Sequence, residues 1–239
     1  MDKIVLELAK KFKREFGKNL LSVSVHGSVA QEDTHLESDI DYFLVFSEIN
    51  YNILRKLKNL KQLYEKENSV ELSLNIQKKE ELPIIRNNAF YHKNRYALFL
   101  HEATKIDKTL IGEDPYRVSK LPSKQEIRLE AVRIVNSFAY FLRKFIVNSN
   151  IDHAVKEAVR YVIMSTQYAN AFIGDYPLTT RESVYSFERN FKNFSKSTTP
   201  RKFFQIKRGE TTIDNKEILL DEAISFLEDL DELLFKKFN

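Results

Sequence analysis

The sequence predicts an α+β protein: a small mixed β-sheet with flanking helices, followed by an all-α helical-bundle domain. Three observations predict it. Apolar and polar residues alternate in short runs at 20–26, 39–46 and 69–77, the pattern of strands. Runs with apolar residues three and four apart flank and separate them. From residue 123 onward only the helical period is found. The chain also has just five glycines and five prolines in 239 residues. Long all-β folds built from many tight turns consume glycine, so they are excluded.

The elements follow in order. Ile4, Leu8, Phe12 and Phe16 recur at i, i+4 and predict a helix over 2–16. Asp2 caps its start and Gly17 ends it. Over 20–26, Leu21, Val23 and Val25 are expected on one face and Ser22, Ser24 and His26 on the other. The run Asp-Ile-Asp-Tyr-Phe-Leu-Val-Phe at 39–46 becomes apolar on both faces, as a central strand does. Ile53, Leu57, Leu60 and Tyr64 predict a helix over 51–66, with Lys56, Lys58 and Lys61 on its wet face. A third strand covers 69–77, with Val70, Leu72, Leu74 and Ile76 opposite Glu71, Ser73, Asn75 and Gln77.

Ser123 with Glu126 forms a capping box ahead of a long amphipathic helix. A second helix spans 152–173 and stops at Gly174. Thr179 with Glu182 starts a third, residues 195–200 read as a loop, and 214–237 is the last helix. The joint falls near Pro115–Pro122, which divides the chain into domains 1–118 and 119–239. Clustered aromatics such as Phe138, Tyr140 and Phe141 are expected in the core.

Composition narrows the function. The net charge of +4, from 38 basic and 34 acidic residues, is too balanced to mark a nucleic-acid binder by itself. RNA is neither supported nor excluded. With no cysteine, disulfides, thiolate zinc sites, Fe–S clusters and cysteine nucleophiles are out. There is no signal-peptide apolar region and no apolar run of about 18 residues, so a cytoplasmic protein without a membrane partner is expected.

The informative stretch is Gly27-Ser28, ten residues, then Asp39-Ile40-Asp41. Asp39 and Asp41 are two apart on a strand, so their side chains leave the same face. Carboxylates that close stay ionised together only with cations between them. Mg²⁺ suits such a pair, because it takes one or two carboxylates plus substrate phosphates. Two ions about 3.5–4 Å apart can clamp both oxygens of a phosphoryl displacement. Gly27 lets backbone N–H groups approach a phosphate, and the Ser28 hydroxyl adds a donor. A helical turn over 28–34 would favour the anion further. Glu71 lies on the polar phase of the third strand. Beside the second strand it could ligate metal or take a proton from an acceptor hydroxyl.

Together these residues resemble the DNA-polymerase-β-type nucleotidyltransferase superfamily. Its pattern is Gly-Ser, a gap of about nine to thirteen residues, then Asp-hydrophobic-Asp-hydrophobic. The chain is most similar to the aminoglycoside adenylyltransferase branch, the antibiotic nucleotidyltransferases. Ser38-Asp39-Ile40-Asp41, Glu71-Leu72-Ser73 and Leu110-Ile-Gly112-Glu-Asp114-Pro115 match that branch in order. Arg160, Gly174 and Thr180-Arg181 fall where it has an arginine, a helix-ending glycine and a Ser/Thr-Lys pair. Two departures are Glu32, where the branch has a second glycine, and the absence of tryptophan, which streptomycin-type members use near the drug.

The resemblance implies an active site in the cleft between the domains. It implies transfer of a nucleoside monophosphate, AMP from ATP or its counterpart from another NTP, to a hydroxyl of a small molecule of the aminoglycoside type, with pyrophosphate leaving. Asp39, Asp41 and Glu71 would be the catalytic, metal-holding residues for two Mg²⁺ ions. Gly27, Ser28, Ser38 and Arg181 would bind the NTP. Arg181 has a second reading as an ordinary first-turn helix residue, and Arg160 one as a surface ion pair. An RNA or protein acceptor, or a non-catalytic antitoxin-like NTP-binding regulator, are the alternatives.

Overall fold

The computed structural model describes residues 3–26, 29–30, 40–81, 108–115 and 122–238. The chain forms two compact units, Met1–Leu121 and Pro122–Asn239.

In the first unit, helix α1 (Lys3–Phe16) leads through a 3₁₀ turn at Gly17–Asn19 into strand β1 (Leu20–Val25). Strand β2 (Ile40–Phe46), helix α2 (Tyr51–Asn68), strand β3 (Leu72–Lys78) and strand β4 (Lys108–Ile111) follow. The sheet order is β3-β2-β1-β4. β1 runs antiparallel to β2 and β4, while β2 and β3 are parallel and joined through α2, so the sheet is mixed. The β4 strand was not foreseen: its four residues are too short to show a period.

One face of the sheet makes the core with α1 and α2. Val5, Leu8, Ala9, Phe12 and Phe16 of α1 pack with Leu57 and Tyr64 of α2 over Ile40, Tyr42, Leu44 and Phe46 of β2. Phe12 meets the Tyr42 ring edge-on at 5.6 Å, and Phe16 meets Phe46 at 5.3 Å. Both buried tyrosines find acceptors on α1: Tyr42 donates to the Val5 carbonyl at 2.8 Å and Tyr64 to the Ile4 carbonyl at 3.0 Å.

β1 departs from the expected alternation. Its pairing with β2 shifts between Leu20 and Ser22, leaving Leu21 as an extra residue. Leu20 therefore shares the core face with Val23 and Val25, and Leu21 does not. Beside this bulge lies Gly112, at the end of β4, with φ +79°. A Cβ there would sit 1.9 Å from the Leu21 carbonyl oxygen. No other residue lets the two backbones approach so closely.

In the second unit, α3 (Lys124–Asn148) pairs with α4 (Ile151–Ile173), and α7 (Lys216–Phe238) packs on both. α5 (Thr180–Asn190) and α6 (Thr199–Lys207) pack on α4. Both capping boxes form: Glu126 N–H donates to Ser123 Oγ at 3.2 Å and Glu182 N–H to Thr179 Oγ1 at 3.1 Å. Gly174 ends α4 in the left-handed conformation, φ +88°. The expected loop at 195–200 is corrected at its end, because Thr199-Pro200 open α6. Proline is tolerated in a first helical turn, and burial of Phe203 and Phe204 makes the helix worth forming. Tyr140 is 57% exposed, unlike buried Phe138, so it lies outside the core. Among the described residues no helix is long and apolar enough to cross a membrane.

Gly112→Ala should lower stability by more than about 1 kcal/mol, since it adds a backbone clash to an unfavourable φ. Gly174→Ala, with nothing within 4 Å of its Cβ, should cost about 1 kcal/mol. Urea unfolding of both variants checks the order.

Candidate active site

The position of Asp41 follows from its neighbours. Ile40, Tyr42 and Leu44 fill the core face, so the two-residue period sends Asp41 to the opposite face, where it is half-buried. His26 extends the β1–β2 ladder, its N–H donating to the Asp41 carbonyl at 2.9 Å. The imidazole is buried edge-on to Phe43 at 5.3 Å, beside the strand face that carries Asp41. Ala30 N–H then reaches back to the His26 carbonyl at 3.4 Å, and residues 29–30 are helical. Val29 and Ala30 lie in the core. Gly27, Ser28, Glu32, Ser38 and Asp39 lie outside the described residues.

Glu71 sits immediately before β3, not within it, and is exposed. Its carbonyl accepts the Ile40 N–H at 2.9 Å. In the parallel ladder Asp41 pairs with Ser73, two residues after Glu71, so Asp41 and Glu71 project from one face. Sheet spacing puts their Cα atoms roughly 8 Å apart. That is within reach of a shared cation or a bridging phosphate. Carboxylate oxygens are the donors a hard cation takes, so this pair fits Mg²⁺. Among the described residues no three His, Cys, Asp or Glu side chains converge as a metal site. The third carboxylate of the expected set, Asp39, is not among them.

The start of β3 is held from α2. Glu65 accepts the Leu72 N–H at 2.8 Å and pairs with Lys61 at 2.6 Å, while Lys61 also donates to the Leu72 carbonyl. These two side chains clamp the peptide units on either side of Leu72, the residue after Glu71. Hydrogen bonding to Lys61, then to the Leu72 N–H, holds the Glu65 carboxyl below its ordinary range. Lys61 is therefore not merely a residue of the wet face. The sequence offered one signal for this, the i, i+4 spacing of Lys61 and Glu65.

Residues 5–96 match the family model of the nucleotidyltransferase domain. The matched segment lies within the first unit. The solved structures it resembles include spectinomycin adenyltransferase AAD(9) from Enterococcus faecialis with ATP and spectinomycin. That alignment has TM-score 0.63 and 14% identity, covering 93% of this chain and 98% of that one. At that identity the likeness is one of fold, and it extends past the nucleotidyltransferase domain into the helical unit. A toxin-antitoxin structure with AMP-PNP aligns with TM-score 0.32 and 18% identity, over 59% of this chain and 93% of that one. A nucleotidyltransferase-like protein from Exiguobacterium sibiricum 255-15 aligns with TM-score 0.36 and 12% identity, over 98% and 77%. No curated protein matches the sequence.

In the helical unit, α5 carries Arg181 in its first turn. Thr166 and Ser183 hydroxyls share a hydrogen bond of 2.9 Å, and Asn170 donates to the Ser183 carbonyl at 2.8 Å, tying α5 to α4. Val184 and Phe187 are buried, which leaves Arg181 exposed on the outer face, 5.9 Å from the Tyr185 ring. Arg160 takes its ion-pair reading: it meets Glu157 at 3.4 Å. Burial and the Glu157 carboxylate push the neighbouring Tyr161 hydroxyl up to about 12.

Glu65→Ala should destabilise the first unit by roughly 1 kcal/mol through the lost charged hydrogen bonds. The lowered Glu65 value means the unfolded chain binds its proton more tightly. The contribution is therefore complete above the ordinary glutamate value of about 4.3, and is lost as pH falls through the lower folded one. Urea unfolding of wild type and variant between pH 3 and 7 should show the two curves converging in acid.

Proposed function

We propose that the chain is a Mg²⁺-dependent nucleotidyltransferase that moves AMP from ATP onto a hydroxyl of a small molecule of the aminoglycoside-antibiotic type. The observation that carries this reading is the register of β2 and β3. It sets Asp41 and Glu71 on one face of the sheet, within a nucleotidyltransferase domain. The small-molecule acceptor is favoured by the fold likeness to AAD(9), which runs through both units, in a structure holding ATP and spectinomycin.

Asp39 and Asp41 would hold the metal, with Glu71 as a further candidate ligand or proton acceptor. Bound Mg²⁺ supplies neutralisation of the charge on the phosphoryl oxygens. Gly27, Ser28 and Ser38 bind the triphosphate, and Arg181 offers it a guanidinium, whose planar fork suits phosphate oxygens. Glu71 accepts the proton of the acceptor hydroxyl as its oxygen attacks the α-phosphorus. One O–P bond forms, the bond between the α-phosphorus and its bridging oxygen breaks, and pyrophosphate leaves with the electron pair. Positioning and charge neutralisation supply most of the catalysis in such displacements.

Incubation with each labelled NTP, Mg²⁺ and a panel of aminoglycosides, lincosamides and tRNA should label one small molecule, with ATP the preferred donor. Asp39→Asn and Asp41→Asn should each abolish pyrophosphate release while melting like wild type; undiminished turnover in either sinks the proposal. Glu71→Gln should lower kcat by about 10²–10⁴-fold if it is the proton acceptor. Recovery of that loss at raised Mg²⁺ would make it a ligand instead. Chelation of the metal should stop transfer, and added Mg²⁺ restore it.

A further inference from the structure

Val25 of β1 stands opposite Tyr42 of β2, and the next rung of the ladder is the bond from His26 N–H to the Asp41 carbonyl at 2.9 Å. His26 therefore faces Asp41 across the two strands. Residues directly opposite on antiparallel strands project from one face, with Cβ atoms about 4.5–5.5 Å apart. Val25 and Tyr42 belong to the core, so His26 and Asp41 share the other face. The edge-on contact of the imidazole with Phe43, two residues after Asp41, agrees with that placement. We propose that His26 is a positioning residue for Asp41: a ring N–H holds one carboxylate oxygen and leaves the other for the cation. The proposal rests on the reading of Asp41 as a metal ligand.

Burial supports it first. Exposure on this face rises from strand to strand. His26 on β1 is 6% exposed, Asp41 on β2 is half-buried, and Glu71 ahead of β3 is exposed. A cation shared by Asp41 and Glu71 therefore comes from the open side, and the imidazole backs the carboxylate from the closed side. Chemical complementarity supports it second. An imidazole always keeps at least one ring N–H, and a carboxylate only accepts. Buried polar groups are hydrogen-bonded as a rule, and the Asp41 side chain is the acceptor directly across from this one. The nearest polar side chain on the same face of β1, Ser24, shares a 3.2 Å hydrogen bond with Thr109 of β4.

Rigidity supports it third. Phe43 is buried, and its ring meets the imidazole at 5.3 Å and 81°, which limits rotation of the imidazole. A carboxylate held from behind presents its other oxygen in one direction, so less side-chain freedom is lost when a metal binds.

The test is titration of the whole protein with Mn²⁺, an ion that takes the same oxygen ligands as Mg²⁺, followed by electron paramagnetic resonance. Binding by wild type should be lost in Asp41→Asn. His26→Phe and His26→Leu, which fill the space without a donor, should each weaken it about 10–100-fold. His26→Gln, which restores an N–H, should recover part of the loss, and Ser24→Ala should leave affinity unchanged. In transfer assays His26→Phe should lower kcat about tenfold or more, with KM for the NTP within about twofold. Melting temperatures near the wild-type value qualify each variant, and either apolar variant suffices. Three outcomes would overturn the positioning role and leave the metal reading standing: Asp41-dependent Mn²⁺ binding unchanged in the apolar variants, a Gln variant no better than they are, or an equal loss in Ser24→Ala. No Mn²⁺ binding, or binding that does not depend on Asp41, would sink the metal reading and this role with it.

Discussion

Burial of Tyr42 is the constraint on which the rest of the first unit depends. Its ring is wholly enclosed, and its hydroxyl is satisfied by the Val5 carbonyl of α1. An unsatisfied hydroxyl at that depth would cost several hydrogen-bond equivalents, so the contact fixes which face of β2 meets α1. Burial also pushes the phenol well above its ordinary value, so it stays a donor across the working range. With Tyr42 inward, Asp41 has to point outward. A one-residue slip of β2 would turn the carboxylate into the core and take the tyrosine from its acceptor on α1. The outward position of Asp41 is thus protected by the packing of its neighbour.

The same logic extends to β3. Parallel pairing with β2 places Glu71 near Asp41, and the Glu65–Lys61 clamp from α2 holds the strand's first peptide units in that register. Because α2 is also the connection between the two parallel strands, one helix both links them and pins the second. On the other side, the Leu21 bulge and Gly112 let β4 close on β1. Bulges bend a strand and raise its local twist, and this one lies at the start of β1. The helical unit uses polar ties for the same purpose: Thr166, Asn170 and Ser183 fix the rotation of α5, which leaves Arg181 outward.

Much of this was legible in the sequence because it rests on local rules. The periods of α1, β2 and α2, the two capping boxes and the stop at Gly174 need only neighbouring residues to be read. The departures arise where long-range contacts override those rules. The alternation in β1 placed Leu21 inward, but pairing across to β2 made it the bulge residue and turned Leu20 to the core. The alternation over 69–77 puts Glu71 in a strand interior, but the left-handed Ser69 at the end of α2 delays β3 until Leu72. The helical spacing puts Lys61 on the solvated face, and its second bond depends on a backbone eleven residues away.

By itself the sequence named the candidate groups: three carboxylates, a Gly-Ser step and a phase of alternation that predicts Asp39 and Asp41 on one face. It also determined the order of elements, because hydrophobic period and caps act within a few residues. Only the tertiary structure decided which carboxylates are neighbours and which side chains stand beside them. Strand register, the Gly112 approach and the pairing of Glu188 with Arg201 are contacts between distant segments, and no local pattern carries them.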